Sequence, residues 1–382
     1  MSRRVIYPYP MKISNGYSYM LSIAQFLNAL SEEIHVDLLC LDSEYEMTDY
    51  FIETLGIKKN SKLNIVSLNN KKFGIKSNKL FFYRNVKSYI KKTIKEHEQI
   101  FFYSRDIKQM RLGLKNLDIY KNIYFIFEAH QILSQNYCRN GDYSKAKEIL
   151  RYENYVFNRA DLIISITPTL RNEITKLFPL SKKIEVLPVG FDKRYLDIKP
   201  INHKYDLIYS GNFSQWKGLD IFIKAIEKLK QTYNKPISVL LIGANNDEFN
   251  FYKNLVIEKK LSSSIKIIKR VRHKKIRHYV SQSKVGVLSN KFNADGMLFT
   301  SPLKLYEYLG AGIIVIAPRL PSIESSMKDN FIQYFRAEDS DDLAKKIVYA
   351  LTEHKYDIAD QKKYASDFTW ERRAEKFNSL LK

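Results

Sequence analysis

Short runs of branched and aromatic residues alternate along the chain with stretches whose apolar positions recur every three or four residues. That is the pattern of strands interleaved with helices. In the first half Val5–Tyr7, His35–Leu41, Gln99–Tyr103, Ile123–Phe127, Leu162–Ile166 and Lys183–Pro188 read as strands. Met20, Ile23, Leu27 and Leu30 fall at helical spacing, as do positions across residues 80–95 and 143–159. Thr167-Pro168 pairs an N-cap with a first-turn proline and starts another helix. The second half restarts the alternation with Asp206–Ser210, Ile237–Ile242, Ser264–Ile268, Lys284–Leu288 and Ile313–Ala317, and a helix from Leu219. Strand-helix alternation of this kind predicts two α/β domains, each a doubly wound, Rossmann-like parallel sheet. Residues 191–204 are polar, carry Pro200 and lack periodicity, so the boundary is placed there. The expected domains are 1–196 and 197–362, with a last helical segment over 363–382.

The segment Ser301-Pro-Leu-Lys-Leu-Tyr-Glu-Tyr-Leu-Gly-Ala-Gly312, running into an Ile/Val strand, carries the densest candidate chemistry. Ser301 reads as an N-cap and Pro302 as the first helical residue. Lys304 and Glu307 are three apart and share a helix face. Free backbone N–H groups, a cation and a carboxylate at one helix N-terminus suit a pyrophosphate beside a ribose diol. A plain amphipathic helix with a solvated Lys and Glu is the alternative. Earlier, Gly211-Asn-Phe-Ser-Gln-Trp-Lys-Gly218 follows the first strand of the second half and precedes a helix. Lys217 would place a second cation at that helix mouth, or the segment is a surface turn.

Composition narrows the class. The 382 residues are 45% hydrophobic and 13% aromatic, which indicates a folded chain. The 63 Lys+Arg exceed the 41 Asp+Glu by 22, which predicts attraction to phosphorylated substrates, an anionic membrane face or nucleic acid. Twelve Lys/Arg and no acid lie between Glu53 and Glu96, interleaved with Phe73, Phe81, Phe82 and Tyr83. Eleven more lie between Glu258 and Asp295, again without an acid. No nucleic-acid motif accompanies them, so no nucleic-acid partner is expected. Cys40 and Cys138 make no disulfide framework or zinc spacing, and read as buried or inert thiols in a reducing cytosol. No run reaches the roughly 18 apolar residues that span a bilayer. No paired Asp ligands for a metal are apparent. The expectation is a cytoplasmic protein, at most resting on the inner face of the membrane.

In order, the strand-Gly211-x₅-Lys217-Gly218 segment, Leu240-Leu-Ile-Gly243 and Ser-Pro-x-Lys-x-Tyr-Glu-Tyr-x-Gly-x-Gly resemble the donor domain of family 4 retaining glycosyltransferases, in the subgroup with Ser-Pro-x-Lys before the Glu. The first half resembles them more loosely, through the Gly16 loop, Glu128-Ala-His130, Arg159–Thr167 and Val186–Asp192. The resemblance implies the GT-B architecture: two Rossmann-like domains facing across a cleft, an acceptor-binding domain first, a donor domain second, and a last helix crossing back onto the first. It implies transfer of a sugar from a nucleotide-sugar co-substrate, UDP more commonly than GDP, without metal or other cofactor. The acceptor would be an oligosaccharide or a lipid-linked saccharide. By resemblance Glu307 binds the ribose, Lys217 and Lys304 the pyrophosphate, and Val271 and Arg272 the base. Gly211, Thr300 and Ser301 would line the donor, Gly16 the phosphates and acceptor, and His130 the sugar or the reaction centre. Phe299 stands where many members carry a first Glu, and Asn212 where many carry Arg; Lys304 is read as replacing that positive charge. A sugar-nucleotide epimerase and a non-catalytic GT-B binding protein remain as alternatives.

Overall fold

The computed structural model of the chain describes residues 3–13, 18–43, 49–68, 79–94, 99–180, 182–199, 203–292, 299, 301–353 and 357–381. It divides into two compact units, Met1–Pro188 with Arg373–Lys382, and Val189–Arg372.

The first unit holds strands β1 (Arg3–Ile13), β2 (His35–Ser43), β3 (Leu63–Ser67), β4 (Gln99–Ser104), β5 (Ile123–Ala129), β6 (Leu162–Ser165) and β7 (Ile184–Val186). They form one parallel sheet in the order β3-β2-β1-β4-β5-β6-β7. Helices α1 (Ser18–Leu30), α2 (Lys79–Thr93), α3 (Ile107–Leu117), α4 (Leu133–Arg139), α5 (Tyr143–Arg159) and α6 (Pro168–Leu177) connect them. Thr167 caps α6 as its sequence predicts, accepting from the Leu170 N–H at 3.1 Å. The central strands are buried on both faces, which is why they read as continuous apolar runs. Cys40 is buried in β2, whereas Cys138 in α4 is exposed.

The second unit repeats the plan with β8 (Tyr205–Ser210), β9 (Val239–Ala244), β10 (Ile265–Lys269), β11 (Ser283–Val287), β12 (Ile314–Pro318) and β13 (Gln333–Phe335), parallel in the order β10-β9-β8-β11-β12-β13. Its helices are α7 (Leu219–Thr232), α8 (Asn246–Glu258), α9 (Ile276–Ser281), α10 (Leu303–Ala311), α11 (Pro321–Glu324), α12 (Ser340–Thr352) and α13 (Ile358–Ser366); α14 (Trp370–Ser379) ends the chain's described elements. One sheet face packs Leu207, Tyr209, Leu241, Val285 and Val287 against Phe222 and Ile226 of α7 and Leu343 and Ile347 of α12.

In both sheets the order reverses beside the first strand of the unit, between β1 and β4 and between β8 and β11. Ligands of doubly wound sheets bind outside the C-terminal strand ends at such a reversal. Among the described residues no helix is long and apolar enough to cross a membrane.

Candidate functional site

At the reversal in the second sheet, the loop after β8 and the start of α10 bring the predicted cations together. Helix α10 starts one residue later than expected. Pro302, at φ −80° and ψ 121°, takes the N-cap position, and Ser301 supplies no cap; its hydroxyl lies 3.1 Å from the Tyr306 hydroxyl. The helix is fixed along its axis by Tyr308, whose hydroxyl accepts from the Ser210 N–H at 2.9 Å and meets the Ser210 hydroxyl at 3.0 Å. That anchor sets Lys304 one turn earlier, over the ring of Tyr209, with Nζ 3.4 Å from the centroid.

Lys304 is buried, and its Nζ has no hydrogen-bond partner among the described residues. Burial, then the nearby Lys217 charge, pushes its pKa well below the ordinary lysine value, and Glu307 only partly opposes this. Gly211 makes room for it: φ is +140°, and a Cβ there would lie 3.0 Å from Lys304 Nζ. Lys217 closes a 3₁₀ turn, its Nζ 3.5 Å from the Trp216 ring centroid. Withdrawal from solvent lowers its pKa to about 7. Gly218 then enters α7 at φ +66°, where a Cβ would fall 1.9 Å from the Ser289 carbonyl oxygen, so no other residue fits. The turn is stitched to the end of β11 by Ser289 Oγ donating to the Lys217 carbonyl at 2.8 Å, and by the Lys291 N–H donating to the Trp216 carbonyl at 2.9 Å.

Glu307, also buried, holds His273 Nε2 at 3.0 Å through Oε1. Burial lowers the His273 pKa, but the bond to Glu307 outweighs it and leaves the net shift upward, with Asp192 adding and Arg194 opposing. Val271 and Arg272 lie in the same loop, just before His273, and this places the predicted base-binding stretch beside Glu307. His273 could not be singled out from sequence, because a single histidine inside a basic run carries no spacing signal. Gly16 and Thr300 lie outside the described residues.

His130 belongs to the first unit and follows β5, the strand next to β4 in that sheet. Its Nε2 lies 2.7 Å from Oε1 of Glu128, which is fully buried. Burial pushes Glu128 up, but Arg105 at 3.0 Å and Arg373 at 2.8 Å outweigh it and hold its carboxyl well below the usual range. Tyr103 donates to the same carboxylate. Burial and the Arg105 charge lower the His130 pKa, so near neutral pH the ring is uncharged. With Nε2–H donated to Glu128, Nδ1 is left as an acceptor. No motif links Arg105, Glu128 and Arg373 in the sequence, because three separate elements bring them together.

Residues 193–367 match the family model described as Glycosyl transferases group 1. Over nearly its whole length the chain is similar to solved structures at low sequence identity. It covers 99% of itself and 98% of sucrose-phosphate synthase from Thermosynechococcus elongatus, at 15% identity and a TM-score of 0.70. A glycosyltransferase from Rickettsia africae aligns at 14% identity, 99% and 97% coverage and a TM-score of 0.69. The Anabaena protein Alr3699/HepE, solved in complex with UDP and glucose, aligns at 13% identity, 99% and 98% coverage and a TM-score of 0.71. No curated protein sequence matches. The fold is therefore GT-B.

Removing the carboxylate that two buried guanidiniums share is expected to cost about 3–5 kcal/mol, since it leaves uncompensated charge. Glu128→Ala should shift the denaturant midpoint accordingly, and Glu128→Gln, which keeps the shape, should shift it less. Equal stability of Glu128→Ala and wild type would show that the arginines are solvated rather than held by Glu128.

Proposed function

We propose that this protein is a glycosyltransferase that moves a sugar from a UDP-sugar to a saccharide or lipid-linked acceptor with retention of configuration. One observation carries the reading: Lys304, buried, and Lys217, half-buried with its pKa lowered by desolvation, neither bonded to a carboxylate among the described residues, meet near Glu307 at the reversal of the second sheet. A diphosphate supplies the missing negative charge, and Glu307 Oε2, on the oxygen opposite the His273 contact, accepts from the ribose diol. The Glycosyl transferases group 1 match over this unit and the UDP seen in Alr3699/HepE support a uridine nucleotide. In the transfer, the bond from the sugar's anomeric carbon to the diphosphate breaks while the acceptor hydroxyl bonds to that carbon from the same face and passes its proton to the departing diphosphate oxygen. The two ammonium groups stabilise the charge that develops on the departing diphosphate.

Membrane contact through the first unit fits a lipid-linked acceptor. The exposed side of α2 carries Phe81, Arg84, Lys91 and Lys92, and the helix has no acid. Each Lys or Arg at an anionic surface contributes about 1 kcal/mol.

Titration of UDP into wild type should give saturable binding that Glu307→Ala abolishes. Lys304→Ala should lower the transfer rate about a hundred- to a thousand-fold. Absence of UDP and UDP-sugar binding by the wild type would contradict the reading. Sedimentation with anionic against neutral vesicles checks the surface: charge reversal at Arg84, Lys91 and Lys92 should release the protein from anionic vesicles, and equal retention of the variant would remove α2 as the contact.

A further inference from the structure

The segment just after β11 holds a polar side chain that none of the above uses. Asn290 is fully buried, and neither its amide nitrogen nor its amide oxygen has a hydrogen-bond partner among the described residues. Folded chains ordinarily pair such groups, and an orphaned buried amide calls for a ligand or a bound water. Its neighbours place it. Ser289 on one side and Lys291 on the other are bonded to the carbonyls of Lys217 and Trp216, so the backbone of Asn290 is fixed beside the Lys217 turn.

The segment after β11 also starts from a contact with α10, the helix that carries Lys304: a Cβ at Gly286 of β11 would lie 2.2 Å from the Tyr308 ring. The backbone that carries Asn290 thus runs from that contact to the Lys217 turn.

The order of charges along the site assigns its partner. Lys304 Nζ comes up against Gly211, at the start of the loop that leads to Lys217, while Glu307, bonded to His273, lies one turn further along α10 at the proposed ribose end. Asn290, tied to the Lys217 turn, is at the other end, where the group beyond the diphosphate begins. An amide offers one acceptor and two donor hydrogens, which match a hydroxyl that both donates and accepts. A phosphate oxygen only accepts and would leave the amide oxygen unpaired.

We propose that Asn290 is a specificity-determining residue that hydrogen-bonds a hydroxyl of the transferred sugar. The inference rests on the donor-site reading above. Sites built to hold a hydroxyl reject analogues that lack it, because the protein's own polar group is then stranded.

The test compares UDP with UDP-hexoses on wild type, Asn290→Ala and Asn290→Leu by calorimetry and thermal unfolding. UDP binding serves as the check that the variants fold. The expected result is UDP affinity within about two-fold of wild type, while affinity for the best-bound UDP-hexose falls roughly ten- to hundred-fold. Without ligand, Asn290→Leu should melt no lower than wild type, since the amide it replaces has no partner. Equal loss for UDP and UDP-hexose would overturn the proposal by moving Asn290 to the diphosphate. Unchanged UDP-hexose affinity would overturn it as well, the outcome for an amide served by water. A melting temperature several degrees lower would reveal a structural partner and overturn it too. If wild type binds UDP but Asn290 is indifferent, only this inference falls. If wild type binds neither compound, the donor-site reading falls and takes this with it.

Discussion

Two lysine amines in the second unit, Lys304 buried and Lys217 half-buried, have no carboxylate bonded to either among the described residues, and desolvation shifts both toward the neutral form. Burying unpaired charge is among the least favourable things a fold can do. Here the aromatic faces of Tyr209 and Trp216 return part of that loss. Tyr308 ties α10 to β8, Gly211 clears space for Lys304, and Gly218 lets the Lys217 turn close against β11. Each of these features makes sense as the support of a cationic site waiting for an anion.

The first unit gives the contrast. Its buried carboxylate, Glu128, is fully compensated by Arg105 and Arg373 and also bonded by Tyr103 and His130. A buried network with its charges matched rigidifies and orients, and here it fixes the tautomer and direction of the His130 ring. Paired charge in one unit therefore holds structure, whereas unpaired charge in the other holds potential for binding. The sum of positive charge over the chain, 63 Lys+Arg against 41 Asp+Glu, does not distinguish them; only the geometry does.

The parallel architecture was readable because most of its central strands are buried on both faces and announce themselves as apolar runs. The edge strand β3 was not, since Leu63–Ser67 is short, half-exposed and set inside a Lys-rich block. β13 escaped for the same reason of length, at three residues. Lys217, Lys304 and Glu307 could be singled out because helix-terminus chemistry has a local spacing. His273, Asn290, Arg105 and Arg373 could not, because their roles come from contacts between elements distant in sequence. The cap of α10 was displaced by one residue because Pro302 adopts the extended conformation of a cap rather than the helical one.

The central claim is that burial shifts both lysines toward the neutral form when the site is empty and that a diphosphate shifts them back, Lys217 being the one that changes charge near neutral pH. Lys217, with its pKa lowered to about 7, is mostly neutral at pH 8, and Lys304 lies well below its ordinary value too. An anion raises both, so binding must draw protons from the buffer above pH 7. Calorimetry of UDP binding at pH 8, in two buffers of different ionisation enthalpy, measures that directly. The account predicts uptake of about one proton or more per UDP bound. Binding with no proton uptake would contradict it, because the lysines would then already be charged in the empty site.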